Sequence, residues 1–465
     1  MGERRLSILD TSFLQLESAS TPMHVGGLMM FELPEDKDRL FVGELVSRFR
    51  GCRVFNNPWN YRLQRPSRFQ FRPVLKETFD VDMEYHIRHH ALPYPGGERE
   101  LGQLISRVHS QRLDFRKPLW EVHVIEGLEP RRFAVYVKIH HALADGISAT
   151  KLLMAGLSVD PSDDMQLPFW AAGSINRSGK PRQVKAVPKL PGVRGSMRFA
   201  REVTRSWLGR GDAVSMRSAP MTILNDRIDG QRRFATHSES MERLKRIASA
   251  ANCSLNDLVL AMCGTVLREY LLDHDALPEK SLTVNIPVSL HKPGAKAIKN
   301  DIALILATLG TNIADDRIRL EKISESTSMA KEQLRNLPEG SQGLFGNLVL
   351  APQALSVLSV LAGRVKPAFN VIVSNVPGPK ETQYLYGARL VNLYPVSIPL
   401  HGSAINFTCF SYDGYLNFGL TACRDSLPHM QQMAVALGSA VDRYQSIYLG
   451  AASSAESATA LDHRV

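Results

Sequence analysis

Residues 140–146 read His140-His141-Ala142-Leu143-Ala144-Asp145-Gly146, bringing two imidazoles, a carboxylate and a glycine into one short stretch. A neutral imidazole titrates near physiological pH and can take a proton from an attacking hydroxyl. Neighbouring residues on a strand point to opposite faces, so His140 and His141 cannot easily serve one metal or one substrate together. One is expected to work at a site and the other to hold it. An isolated histidine pair reads equally well as two hydrogen-bonded residues at a buried strand end. The carboxylate shifts the balance. Asp145 on a turn can hold the strand end and the imidazole in one geometry, and Gly146 permits close backbone approach or a positive φ. There is no GxSxG elbow, and no cysteine lies near a histidine in sequence, so no protein nucleophile is indicated. No third ligand stands at helical or strand spacing from the histidines, so no metal site is expected.

The elements around this stretch form a strand-to-helix junction. Phe133, Val135, Val137 and Ile139 alternate with Ala134, Tyr136 and Lys138, the period of a strand with two unlike faces. Asp145-Gly146 is a turn signal, and Ile147, Leu152 and Leu153 open a helix. Upstream, Val25, Leu28 and Met30 suggest a strand ending at Pro34. Leu40, Phe41, Leu45 and Phe49 mark one amphipathic helix, and Leu101, Leu104, Ile105 and Val108 another. His89-His90 has no Asp-Gly behind it and reads as structural. Residues 121–128 alternate as a strand, preceded by Pro118-Leu119-Trp120, which alone reads as a loop anchored by burying Trp120. Downstream, strands are expected at 232–240, 283–290, 369–376, 394–397, 405–412 and 415–423, the last two joined by an Asp413-Gly414 hairpin turn. Ser254 caps a strongly apolar helix, for which Asn256 and Asp257 are by default first-turn residues. A final helix runs from Leu427 to Leu449.

A chain of 465 residues exceeds what one hydrophobic core usually supports. The expected division is a first lobe at 1–160, a connection at 161–220, a second lobe at 221–450 and a disordered Ala/Ser-rich tail at 451–465. The connection is punctuated by prolines and is locally basic. Within it Met197, Ala200, Val203 and Trp207 suggest one helical face and Arg194, Arg198, Arg201 and Arg205 the other, which reads as a linker helix or a membrane-surface helix. Residues 341–363 carry no charge and read as core, tunnel lining or an interfacial segment rather than a span. The net charge of +10 is unaccompanied by a zinc pattern, helix-turn-helix signature or aromatic-interleaved basic motif, so nucleic acid is disfavoured. CoA phosphates or anionic lipid fit the charge equally well. Five scattered cysteines without a CxxC fit reduced thiols in a cytosolic protein, and the N-terminus has no secretory pattern.

The stretch at 140–146 resembles the HHxxxDG motif of the CoA-dependent acyltransferase superfamily, which includes chloramphenicol acetyltransferase and peptide-synthetase condensation domains. TPMHVGGL (21–28), PGGERELG (95–102), PLW (118–120), LNDLVLA (255–261), SNVPGP (374–379) and the block 402–425 are similar to the bacterial wax ester synthase/acyl-CoA:diacylglycerol acyltransferase family. The resemblance implies an α/β fold of two chloramphenicol-acetyltransferase-like lobes with a channel between them. It implies direct acyl transfer from a fatty acyl-CoA, used as substrate with no bound cofactor, to a long-chain alcohol or diacylglycerol. His141 would be the base and Asp145 an orienting residue. A tetrahedral intermediate needs a donor at its oxyanion. Asn256 is the first choice, as a motif residue at a helix start, with Ser374 and Asn375 as further donors; His140 and Gly146 complete the expected substrate contacts. The expected partner surface is an anionic membrane or lipid droplet, met peripherally from the cytoplasm. The rivals are a condensation-type enzyme with an amine or polyketide acceptor and a non-catalytic lipid-surface protein.

Overall fold

The alternation at 133–139 lets both faces of one strand be buried, and both are. The computed structural model describes residues 2–38, 40–65, 67, 72–163, 165–172, 197, 199–204, 214–215, 217–289, 302–337, 341, 345 and 363–450. Its strands are β1 (Glu3–Arg5), β2 (His24–Glu32), β3 (Tyr61–Leu63), β4 (Val74–Glu77), β5 (Ile87–Ala91), β6 (Trp120–Leu128), β7 (Arg132–His140) and β8 (Arg232–Ser240), followed by β9 (Thr283–Ser289), β10 (Ile302–Thr308), β11 (Val371–Pro377), β12 (Tyr384–Leu385), β13 (Ala388–Val396), β14 (Ile405–Tyr412) and β15 (Tyr415–Cys423). The helices are α1 (Ile8–Leu16), α2 (Leu40–Gly51), α3 (Met83–His86), α4 (Glu98–Ser110), α5 (Gly146–Met154), α6 (Phe169–Ala172), α7 (Met241–Ala250), α8 (Leu255–Asp273), α9 (Asp316–Arg335) and α10 (Gln431–Leu449).

Two six-stranded mixed sheets, β12-β13-β2-β7-β6-β5 and β10-β9-β11-β14-β15-β8, carry the two lobes, and β1-β4-β3 form a small third sheet. Phe133, Val135, Val137 and Ile139 pack with α2 and the buried tryptophans, while Ala134 and Tyr136 pack with α4. In the second lobe α8, most of whose side chains are buried, packs on α7, α9 and α10. The Asp413-Gly414 turn has positive φ at both residues, as a tight hairpin requires.

The expected boundaries are crossed twice. Phe169 and Trp170, counted in the connection, are fully buried in the first-lobe core, where Trp170 stacks on Trp120. β13 belongs to the second half of the chain yet pairs antiparallel with β2, so β12 and β13 complete the first sheet. The apolar face expected in the connection also shifts. Phe199 and Val203 pack on the second-lobe core, while Met197 and Ala200 are exposed. Arg194, Arg198, Arg205, Trp207, most of 341–363 and the tail 451–465 lie outside the described residues. Among the described residues no single helix is long and apolar enough to cross a membrane. α7 and α8 pass that test only as a pair bent by 96°.

Candidate active site

The histidine turn is seated by strands on both sides. The His140 N–H donates to Leu119 O (3.0 Å), and the His141 N–H donates to Met23 O (2.9 Å). Pro118-Leu119-Trp120 therefore supports the turn directly. Trp120 is fully buried, its indole N–H donates to Trp59 O (2.7 Å), and its ring stacks on His86 and Trp170. The Gly26-Gly27 pair of β2 explains the glycines of TPMHVGGL. A Cβ on Gly26 would strike the Tyr136 ring on one face, and a Cβ on Gly27 would lie 2.7 Å from Leu153 Cδ1 on the other.

The two histidines divide their duties. His140 is wholly buried, and both of its ring nitrogens are engaged. Nδ1 accepts the Ala142 N–H (3.1 Å), which puts the proton on Nε2, and Nε2 donates to Glu17 Oε2 (2.8 Å). With both nitrogens taken up inside the fold, His140 braces the turn. His141 is half-buried, its ring stacked on Phe13 at 4.0 Å between centroids. Burial pushes its pKa down to about 4, against the pull of the Asp145 carboxylate, so the imidazole is neutral at physiological pH. Asp145 caps α5 by accepting the Ser148 N–H (2.8 Å), an orienting role. Gly146 does not adopt a positive φ, and nothing stands within 4 Å of where its Cβ would be. Its value is the space it leaves open.

That space adjoins an apolar cavity of about 80 Å³ between the lobes. Ile139 and Gly146, on either side of the histidines, line it together with Gly27 and Leu153 from the first lobe and Val376 and Phe410 from the second. Its polar lining includes Ser397 and Thr408, whose hydroxyls are 2.6 Å apart. A larger open hollow of about 540 Å³ lies at the α7–α8 connection and α9; its lining is polar and includes no residue of the histidine turn.

The expected oxyanion donors separate. Ser374 pairs with Thr408 and Val376 with Phe410 in the parallel β11/β14 ladder, so Ser374 shares the face that lines the cavity. Asn375 pairs with Cys409, a residue of the helix-side core, and is itself exposed. Asn256 lies in the first turn of α8, outside the cavity lining, so helix position alone did not bring it to the histidines. Asp257 is a capping and packing residue. It accepts from Ser254 Oγ (2.6 Å) and Thr327 Oγ1 (2.6 Å), tying α8 to α9. Sequence reading missed Phe13 and Glu17, although their spacing by four in an amphipathic stretch signals one helix face. His89 and His90 serve β5, near Glu126 and His123 respectively. Among the described residues no cluster of three or more histidine, cysteine or acidic side chains could hold a metal.

The family model of the wax ester synthase/diacylglycerol acyltransferase catalytic domain matches residues 6–259, and that of the WS/DGAT C-terminal domain matches residues 298–445. The chain is 36% identical to an O-acyltransferase of Acinetobacter baylyi over 455 residues, covering 96% of this chain and 97% of that one. It is similar in structure to a wax ester synthase/diacylglycerol acyltransferase from Marinobacter aquaeolei VT8, with a TM-score of 0.76, 36% identity, and coverage of 95% of this chain and 99% of that one. The first condensation domain of the CDA synthetase, at 14% identity and a TM-score of 0.58 over 95% and 96% of the two chains, shares the two-lobed α/β fold alone. By both domain matches and by identity over nearly its whole length, the chain belongs to the wax ester synthase/diacylglycerol acyltransferase family, a family of acyltransferases.

Proposed function

We propose that the chain moves a fatty acyl group from acyl-CoA directly to the hydroxyl of a long-chain alcohol or diacylglycerol, with His141 as general base. The observation that carries this reading is a neutral, half-buried imidazole whose flanking residues line an apolar cavity between two lobes. The imidazole takes the hydroxyl proton as the oxygen attacks the thioester carbonyl. Collapse of the tetrahedral intermediate breaks the C–S bond, and the imidazolium returns the proton to the departing thiolate. The ester and free CoA leave, with no acyl-enzyme formed. Ser374 is the preferred donor to the oxyanion over Asn256 and Asn375, because it lies on the same face of β11 as the cavity-lining Val376. Because the acceptors are water-insoluble, the reading includes a peripheral encounter with an anionic bilayer or droplet surface, which the net charge of +10 favours. Salt-sensitive pelleting with anionic vesicles tests that part.

The deciding experiment incubates the purified chain with palmitoyl-CoA and hexadecanol, diacylglycerol or a long-chain amine, and follows free CoA and product. Transfer to a hydroxyl acceptor is expected, and His141→Ala is expected to lose about 10²–10⁴-fold in rate while staying folded. Transfer to the amine alone would move the chain to condensation-type chemistry. Full turnover by His141→Ala would remove the base assignment.

A further inference from the structure

We infer that Glu17 is a positioning residue for acyl transfer: through His140 it fixes the turn that presents the His141 imidazole. The inference rests on the acyl-transfer reading above, and its geometry is independent of which alcohol is used. Glu17 closes the C-terminal end of α1 and is 1% exposed. A carboxylate removed from water in this way is costly unless its charge is met by donors. Two are in place: Oε2 accepts from His140 Nε2 at 2.8 Å and from the Met23 N–H at 3.3 Å. With Nδ1 of His140 accepting the Ala142 N–H, this ring is fixed in one tautomer from both ends.

The same short segment reaches everything near the reacting imidazole. Phe13 covers one face of the His141 ring, Glu17 holds His140, and Met23 O receives the His141 N–H. Between Glu17 and Met23 the chain also grips the second lobe. Arg232 Nη2 donates to Ser20 O (2.7 Å), and His401 Nε2 lies 3.2 Å from Ser20 Oγ. His401 Nδ1 accepts the Ile228 N–H, so its Nε2 carries the proton and donates to Ser20. Gly230 sits against Ala19 O, where a Cβ would come within 2.5 Å. Residues 13–23 are thus held by the second lobe at one point and hold both histidines at others. Loosening Glu17 would free the turn from the segment that registers it against the lobe carrying Ser374, Thr408 and Phe410. A displacement of about 1 Å at a reacting group can lower a rate about 10²-fold.

The test compares wild type with Glu17→Gln, Glu17→Ala, His140→Ala and the Glu17→Ala/His140→Ala double variant, measuring kcat and KM for palmitoyl-CoA and hexadecanol. The His140 Nε2–H resonance is followed by ¹⁵N-edited NMR in wild type, Glu17→Gln and Glu17→Ala. Glu17→Ala is expected to lower kcat about 10²-fold with both KM values within about twofold. Glu17→Gln keeps an oxygen that can accept both N–H groups and is expected to retain activity within a few-fold. Because Glu17 acts through His140, the double variant is expected to be no slower than His140→Ala by more than about twofold. Full activity of Glu17→Ala, fully additive losses, or equal loss in Glu17→Gln with intact folding would each overturn the inference. An inactive wild type would instead overturn the acyl-transfer reading. In that event persistence of the His140 Nε2–H signal in Glu17→Ala would still refute the coupling, and its selective loss there would support it.

Discussion

The pH dependence of kcat/KM should reveal whether burial sets the working state of His141. The imidazole is pushed down to about 4, chiefly because Phe13 and the surrounding fold exclude water from it; the Asp145 carboxylate only partly opposes this. The base must be neutral to work, and kcat/KM reports the free enzyme. At pH 5 a group of pKa about 4 is about nine-tenths neutral, whereas an unperturbed histidine of pKa about 6.5 would be only about 3% neutral. The two cases differ about 30-fold in expected rate. The expected profile is therefore flat from pH 8 down to about 5.5, with the acid limb below 5. The assay is CoA release from palmitoyl-CoA, quenched and separated chromatographically, with a short soluble alcohol below its KM. Circular dichroism at each pH confirms that the chain is folded. Phe13→Ala supplies the control: opening the ring face to water should raise the limb towards 6.5. A wild-type limb at 6 to 6.5, unmoved by Phe13→Ala, would refute the argument that burial keeps the base neutral.

Trp120→Ala should destabilise the fold by about 3–5 kcal/mol in urea unfolding, because a fully buried indole with stacked neighbours and a donated hydrogen bond is lost. A change below about 1 kcal/mol would contradict the anchoring role. Gly27→Val should overpack against Leu153 at a cost of about 1–3 kcal/mol and narrow the cavity, lowering kcat/KM for long acceptors more than for short ones. An equal effect on both would remove the cavity from the acceptor path. His86, His123 and His401 are pushed down to about 4 and His109 to about 3, in each case mainly by burial. Folded values below the unfolded value of about 6.5 mean that their contribution is complete above that pH. Each group withdraws up to about 1.4 kcal/mol per pH unit as the medium is acidified towards 4. Thermal midpoints should accordingly fall between pH 6.5 and 4.5, and midpoints constant over that range would count against neutral burial.

Much of this architecture was legible because its signals were local. The alternation of β7, the Asp145 cap, the Asp413-Gly414 turn and the apolar run of α8 each declare themselves within a few residues. β10 and α9 gave no such declaration. The strand Ile302–Thr308 is a short apolar run without clear alternation, and α9 is a polar helix whose buried residues include Arg319, Ser326 and Thr327. A helix that buries polar groups hides its period from a hydrophobicity reading, because the groups it buries are satisfied by partners elsewhere in the chain. Thr327 does so by donating to Asp257, and Arg319 by donating to Ile313 O and Thr265 Oγ1.

The site shows the same limit more sharply. Motif residues near one another in sequence, such as His141 and Asp145, come together in one turn whose geometry is set locally. Partners that depend on sheet register could not be placed from sequence in this way. A helix N-terminus made Asn256 attractive on electrostatic grounds, yet which face it meets is decided by how α8 packs on α7, α9 and α10. Conversely, Ser374 and Asn375 are indistinguishable as neighbouring donors until the β11/β14 register turns one towards the cavity and the other away. Because side chains on a strand alternate, a register shifted by one residue would exchange them. The pairing of β13 with β2, which carries a second-half strand into the first sheet, is long-range in the same sense. On the proposed reading, bringing the His141 turn and the Ser374 face to one cavity requires both sheets to be complete, so the lobe junction would serve the reaction as well as packing.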